Sequence, residues 1–277
     1  MTSHEIERVS TRAPRLQRSV GNLRIGVGAG AALTDLFQEG ALRGRLPRPA
    51  QADCLEAVVI NLAGGMTGGD RYRVDVDVAD GGRATVVGQA CEKIYRSAGD
   101  TARLDVTLRV AAGSRLAWLP QPAIVFDGAD FERRLDVDLA PGASLFAVEG
   151  TVLGRSAMGE TVSSLRLREH WRVRRGDELL WASAGRLDLP TDPAAAVSAL
   201  GEATAWATLL RVGGDPERDL DAFRACADAV RGRLGASRLD DCVVATLVAS
   251  DPRYLLEDIA LVAGRVDETR VPRVWHC

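Results

Sequence analysis

A glycine-rich segment, NLAGGMTGGDRY at residues 61–72, is the first stretch of the sequence that could do chemistry. Glycine-rich loops often hold phosphates, but this one lacks the Gly-Lys-Ser/Thr ending of a P-loop and the GxGxxG order of a dinucleotide fold. It stands between two predicted strands, so no helix N-terminus faces a phosphate. Two interpretations remain: a tight turn that needs several glycines, or close approach of a partner or ion, with Asp70 as the only carboxylate. The glycines are Gly64, Gly65, Gly68 and Gly69.

A second segment, GQACEKIYRS at residues 88–97, concentrates polar groups. A Cys-Glu-Lys cluster could form a nucleophile site, but no histidine or asparagine partner stands out for Cys91. The alternative is a strand with one charged face that forms ion pairs. Lys93 is the single lysine of a chain with 34 arginines, and the two residue types differ in shape and hydration. The polar side chains are Gln89, Glu92, Lys93, Tyr95 and Arg96.

Three further motifs are weak signals when each is taken alone. WLPQPAIVFDGADFERR at residues 118–134 contains Gln121, GRSAMGET at residues 154–161 contains Arg155 and Glu160, and VPRVWHC ends the chain. The sequence has no CxxC, HExxH or EF-hand pattern, so it predicts no fixed metal cage.

Composition narrows the class of protein. The net charge is −3 and no basic stretch resembles a nucleic-acid footprint. No apolar run approaches the roughly 18 residues of a membrane span, and no secretory signal opens the chain. The five cysteines are scattered, which is typical of reduced thiols. We therefore expect a cytoplasmic protein that binds neither nucleic acid nor membrane.

The middle of the chain alternates apolar and polar residues with period two, which predicts half-buried strands at 72–78, 104–110 and 135–139. The pattern repeats around four glycines. Apolar residues occupy the positions three and five residues to either side of each glycine, which predicts strand, tight turn and returning strand. Stacking such β-hairpins would bury the apolar face, as in solenoids, although a β-sandwich would have similar spacing. The glycines are Gly81, Gly113, Gly142 and Gly176.

The C-terminal quarter changes character. Asp215-Pro216 is a helix start, and apolar residues at helical spacing continue to Leu234, with Gly235 as the stop. Asp251-Pro252 predicts a second helix, and the apolar run 242–248 predicts a strand between them that is buried on both faces. The segment 189–204 is expected to be a mobile connection.

Taken in order, the five motifs closely resemble those of the urease accessory protein UreD (UreH) family, from about residue 58 to 275. The resemblance implies one domain over 1–277, in which residues 1–50 match weakly and residues 215–277 form a helix–strand–helix region. It implies a mainly β, superhelical fold in two layers with two C-terminal helices. It also implies a non-enzymatic role: binding of the urease apoprotein, a UreF-type protein and the GTPase UreG, for GTP-dependent nickel insertion.

The resemblance implies nickel in transit rather than a tightly bound cofactor. Nickel is held by imidazole, carboxylate and thiolate ligands, and a conduit should bind it weakly at several points. Asp70, Glu92 and Glu160 are the candidate contacts because each lies within a motif. Candidate partner contacts are Gly64, Gly65, Gly68, Gly69, Lys93, Tyr95, Arg96, Gln121 and Arg155.

Two other functions fit the same residues. A hydrolase on a β scaffold could use Asp70 and Glu160 as acid and base, if both lay in one pocket. A carbohydrate- or peptide-binding β module would display aromatic platforms. The tryptophans Trp118, Trp171 and Trp181 fall on the apolar positions of the repeat, which favours a place in the core.

Overall fold

Two large β-sheets form the body of the molecule, and two helices cover a portion of one of them. The structure is a computed structural model that describes residues 17–49, 51–79, 81–155, 159–189, 201–267 and 271–276. The first sheet has seven strands in the order β14-β13-β11-β8-β5-β1-β2. They are β1 Val20–Gly28, β2 Ala32–Gly40, β5 Arg71–Val78, β8 Ala102–Val110, β11 Ala129–Leu139, β13 Leu165–Arg175 and β14 Glu178–Leu189.

The second sheet has ten strands, eight of them in the order β16-β17-β15-β12-β9-β6-β4-β3. The short strands β7 and β10 join it through β12. The ten strands are β3 Leu42–Arg45, β4 Leu55–Asn61, β6 Arg83–Gln89, β7 Lys93–Ile94, β9 Arg115–Leu119, β10 Ala123–Val125, β12 Ser144–Leu153, β15 Ala205–Val212, β16 Arg233–Leu239 and β17 Cys242–Ala249.

Successive coils of the chain place one strand in each sheet. Strands β5, β8, β11 and β13 pair in parallel in the first sheet, and β4, β6, β9 and β12 do so in the second. The predicted mainly β, solenoid-like fold in two layers is therefore confirmed.

The predicted pairing within each repeat unit is wrong in one respect. The two strands on either side of Gly81, Gly113 or Gly142 lie in different sheets, so they do not form a hairpin. Each sheet then covers the apolar face of the other, which a flat hairpin could not do. At Gly176, by contrast, β13 and β14 pair antiparallel in one sheet, as the hairpin prediction requires.

The core between the sheets contains the apolar positions of the repeat. All sixteen are buried except Leu179, which is 50% exposed, and Trp181, which is half-buried. On the outer face of the first sheet, opposite charges stand at directly paired positions. Arg109 bonds Asp77 at 3.0 Å. Parallel strands can therefore meet water here because their polar positions alternate regularly with the core positions.

The helices pack on the outer face of the second sheet. Helix α1, Pro216–Arg224, begins at the predicted N-cap Asp215, whose carboxylate accepts hydrogen bonds from the amides of Glu217 and Arg218. Helix α2, Pro252–Val266, begins at Asp251 as predicted. Phe223 of α1 is fully buried in this second core.

The predicted end of the first helix is wrong. The chain leaves the helix after Arg224, and Leu234 and Gly235 lie in strand β16. Strand β16 pairs antiparallel with β17 through a turn in which Asp240 has a φ of 46°. A partner for the open edge of β17 outweighs the helical spacing, so the order of elements after Asp215 is helix–strand–strand–helix.

The other predictions for the C-terminal quarter have mixed outcomes. The strand at 242–248 is confirmed, but its burial on both faces is incomplete because Thr246 is exposed. Most of the predicted mobile connection, residues 190–200, lies outside the described residues. The chain ends with a 3-10 helix at Arg273–His276.

Candidate functional site

The two edges of the stacked coils differ in how the chain crosses between the sheets. At one edge the crossings are short. They are closed by hydrogen bonds from the amides of Gly82, Ser114 and Ala143 to the carbonyls of Ala79, Ala111 and Ala140. At the other edge the connections are longer. We call this the motif edge, because its four connections hold nearly all the motifs: residues 62–70, 90–101, 120–128 and 154–164.

Backbone hydrogen bonds join the connections of the motif edge into a stack. The Met66 amide donates to the Lys93 carbonyl at 2.7 Å, and the Tyr95 amide donates to the Met66 carbonyl at 2.7 Å. The Gly128 amide donates to the Ser164 carbonyl at 2.6 Å. Motifs that are far apart in sequence therefore form one continuous surface.

The glycines of the first connection allow close approach of the chain's own next coil. A Cβ atom on Gly65, whose φ is 146°, would lie 2.3 Å from the Tyr95 ring. A Cβ atom on Gly68 would lie 2.2 Å from the Asp100 carbonyl oxygen. The tight-turn interpretation is thus supported, whereas Gly64 faces open space and leaves room for a partner.

Asp70 is buried at the base of the glycine-rich connection. Its carboxylate accepts hydrogen bonds from the amide of Ser19 at 2.7 Å and from the amide of Thr67 at 2.8 Å. These bonds tie the start of β1 to the loop. The geometry is that of a carboxylate that caps a turn, and a nickel contact at Asp70 stays a prediction.

Glu92 belongs to the same network. Its carboxylate accepts a hydrogen bond from Asn61 Nδ2 at 2.9 Å, and the Tyr72 hydroxyl donates to Asn61 Oδ1 at 3.1 Å. The Tyr72 hydroxyl also lies 2.9 Å from Ser19 Oγ, beside the amide that Asp70 holds. Burial raises the pKa of Glu92 above its usual range, although the bond from Asn61 opposes this.

Glu160 lies in a different group of contacts on the motif edge. It accepts hydrogen bonds from Nε and the amide of Arg155 at 3.0 and 3.1 Å, and from the Asp127 amide at 3.2 Å. Desolvation alone would raise the pKa of Glu160, but these bonds and the charge of Arg155 lower it. Glu160 and Asp70 share no hydrogen-bond partner among the described residues.

The remaining candidate contacts divide into exposed and structural groups. Lys93, Tyr95, Arg96 and Arg155 are exposed. The Tyr95 hydroxyl donates to the Gly64 carbonyl at 3.2 Å, and Arg96 is paired with Asp127. The motif edge therefore exposes the ring of Tyr95, the ammonium of Lys93 and two arginines that are paired with carboxylates.

Gln121, by contrast, is buried and fastens the end of the chain. Its Nε2 donates to the Val274 carbonyl at 2.6 Å, and the Trp275 indole N–H donates to the Leu119 carbonyl at 3.1 Å. The terminal motif thus docks on the WLPQP motif. Cys91 Sγ lies 3.5 Å from Gln121 Oε1, and burial raises the pKa of the Cys91 thiol to about 11, which disfavours a nucleophilic thiolate.

The sequence did not predict a cluster of charged side chains that is buried between the two sheets. Arg133 Nε lies 3.0 Å from Glu149 Oε2, and the same guanidinium pairs with Glu169. The Thr151 hydroxyl donates to Glu169 Oε1 at 2.8 Å. A signal was present in the sequence, because Arg133 stands between Phe131 and Leu135 in the row of side chains that face inward from this strand.

Glu149 is the most perturbed member of the cluster. Burial raises its pKa to about 7, although Arg133 opposes the shift, and the charge of Glu169 adds to it. Burial alone would lower the pKa of Arg133. The two carboxylates raise this pKa by more than burial lowers it, so the guanidinium stays charged. The cluster therefore holds one cation, Arg133, between the carboxyl groups of Glu149 and Glu169.

Comparison with known proteins identifies the family. The family model described as UreD urease accessory protein matches residues 19–276. This chain belongs to the UreD family. A urease accessory protein UreD of Azorhizobium caulinodans is 39% identical over 267 residues, covering 95% of this chain and 98% of the relative. One from Xanthobacter autotrophicus is 41% identical over 263 residues, covering 94% and 90%.

A third UreD relative, from Rhodopseudomonas palustris strain BisA53, is 42% identical over 241 residues, covering 87% of this chain and 83% of the relative. The UreD match begins at Ser19, the residue whose amide holds Asp70, so it takes in strands β1 and β2 as well.

Metal and membrane features complete the description of this UreD family member. Within the described ranges, no group of three or more His, Cys, Asp or Glu side chains is placed to hold a metal ion. No helix in those same ranges is both long enough and apolar enough to cross a membrane.

Gly65→Ala should lower the free energy of unfolding by roughly 3 kcal/mol, because the new methyl group meets the Tyr95 ring and the backbone is left-handed. Gly64→Ala is the matched control. Its φ is also positive, at 74°, but no atom lies near the new methyl group, so the cost should be about 1 kcal/mol. Urea denaturation of both variants measures the difference, and equal losses would refute the close-approach role of Gly65.

Glu149→Gln should raise the free energy of unfolding at about pH 8 by on the order of 1–3 kcal/mol. In the unfolded chain this carboxyl ionises near its usual pKa of about 4.3. In the folded chain it keeps its proton up to about pH 7, so stability is lost as the pH rises between these values. Glutamine removes that loss.

Denaturant unfolding at about pH 5 and pH 8 tests this dependence, with the exposed Glu217→Gln as control. The gain for Glu149→Gln should be largest at the higher pH. A gain that is the same at both pH values, or larger at pH 5, would contradict the raised pKa.

Proposed function

We propose that this chain is a cytoplasmic, non-catalytic scaffold that binds the urease apoprotein, with a UreF-type protein and a UreG-type GTPase, during nickel insertion. Membership of the UreD family over residues 19–276 carries the proposal, since the relatives are named urease accessory proteins. The GTP would be hydrolysed by the UreG-type partner. The coarser role, support of urease maturation, follows from the family itself.

The chemistry of the motif edge supports a scaffold rather than an enzyme. Asp70 is held by two backbone amides, and Glu160 is held by Arg155 and by a backbone amide. A general acid or base needs a free, perturbed carboxyl group in a pocket. The exposed aromatic and cationic side chains suit contact with another protein.

Nickel would be the cargo of this scaffold and not its resident cofactor. Of the three candidate contacts, Glu92 is best suited to meet a passing cation, because its side chain accepts one side-chain hydrogen bond and no arginine lies against it among the described ion pairs. Asp70 and Glu160 would have to release donors first. Several weak carboxylate contacts favour release of the ion, as a conduit requires.

Expression of the urease structural genes with the accessory genes, with and without this chain, tests the proposal. Omission should leave assembled urease with little nickel, and the full chain should restore nickel and co-purify with the apoprotein. Nickel per urease active site is measured by elemental analysis. Full nickel loading in its absence, with no co-purification, would overturn the proposal.

Glu92→Gln should lower the rate of nickel loading roughly fivefold, because loss of one charged contact costs on the order of 1 kcal/mol. Glutamine keeps an oxygen for Asn61 Nδ2, so assembly of the complex should be unchanged. Glu217→Gln, on an exposed helix residue, is the control. Unchanged loading by Glu92→Gln in an intact complex would remove Glu92 from the conduit.

A further inference from the structure

A large groove on the outer face of the second sheet is not used by the motif edge. Its volume is about 1210 Å³. Strand β4 provides the floor with Glu56 and Val58, helix α2 provides Leu261, and the C-terminal segment provides Val274. Leu46 is exposed and Leu261 and Val274 are half-buried, so some apolar surface of the groove meets solvent, whereas Val58 is buried.

The charge of the groove is opposite to that of the chain. Arg45, Arg48 and Arg273 line it, against one acidic residue, Glu56. Arg45 and Arg48 are exposed and have no ion-pair partner among the described residues. The whole chain carries a net charge of −3, so the exposed Arg45 and Arg48 form a local cationic surface on an acidic protein.

One wall of the groove is conformationally restricted. It is the segment Arg45–Pro49, which has the sequence RLPRP and follows the end of β3. A residue that precedes proline is biased toward extended backbone, which applies here to Leu46 and Arg48. Leu46 is 39% exposed. An apolar and two cationic side chains are thus presented on a stiff wall, which lowers the entropy lost on binding.

The size and the charge of the groove indicate which kind of molecule it binds. The volume exceeds the roughly 300–1,000 Å³ of small-molecule pockets, so an extended segment of protein fits better. The apolar floor has no role in binding a phosphate backbone. The chain's own residues 1–16 contain three arginines against two glutamates, so their charge does not match a cationic groove.

We propose that this groove binds an extended segment of a partner protein in which carboxylates alternate with large apolar side chains. The carboxylates face Arg45 and Arg48, and the apolar side chains cover Leu46, Leu261 and Val274. This proposal rests on the proposed function, which requires partner proteins. It adds that one partner must carry a segment with this alternation of carboxylates and apolar side chains.

Binding of two labelled dodecapeptides to the full chain tests the groove without urease. One probe alternates leucine with glutamate, and its matched partner alternates leucine with lysine. Fluorescence anisotropy should show the glutamate probe binding about tenfold more tightly or better. Arg45→Glu with Arg48→Glu should abolish that preference, whereas the control pair Arg224→Glu with Arg233→Glu, exposed and outside the groove, should keep it.

Salt provides a second measurement that needs no variant. Raising NaCl from about 0.05 to 0.5 M should weaken binding of the glutamate probe, because salt screens the attraction between partly exposed charges. Equal binding of both probes, or a preference that survives the groove variant or high salt, would overturn the proposal. Because no urease is present, that failure would leave the proposed function standing, and loss of co-purification with urease would leave the groove result intact.

Discussion

The fold depends on one constraint: each sheet must cover the apolar positions of the other. Strand β5 shows why, since Tyr72 and its valines are buried on one face while its arginines and aspartates point to solvent on the other. Burial of one such side chain contributes about 1.5–3 kcal/mol, and a single sheet would leave the whole row in water. The chain therefore crosses to the opposite sheet after almost every strand of the stacked coils.

That crossing makes the two edges of the molecule unequal. Short turns with a glycine of positive φ connect the sheets at one edge. Such turns present few side chains to a partner protein. The longer connections between strands all lie at the motif edge. There Gly65 and Gly68 let the first connection lie against the second, so the exposed Tyr95 stands on a backbone that is hydrogen-bonded to Met66.

Sequence periodicity predicted the strands because the period-two pattern records which side chains face the core. The pattern cannot say which strand pairs with which, so the crossings at Gly81, Gly113 and Gly142 were mistaken for hairpins. Helical spacing likewise failed after Arg224, where the open edge of β17 recruits β16. For the candidate site, the sequence placed Asp70, Glu92 and Glu160 in three separate motifs. The structure joins Asp70 to Glu92 through Ser19, Tyr72 and Asn61, and it places Glu160 in a different group of contacts.

Arginine supplies nearly all the positive charge of this chain, and ion pairs with arginine limit how freely its carboxylates can bind a cation. Asp127 pairs with Arg96 and also accepts hydrogen bonds from the amides of Ser163 and Ser164. Glu160 accepts hydrogen bonds from Arg155 Nε and from the amides of Arg155 and Asp127. A divalent cation that meets them must displace those donors. Each contact is then weak even where carboxylates are numerous, and weak contacts are what allow an ion to be handed onward rather than retained.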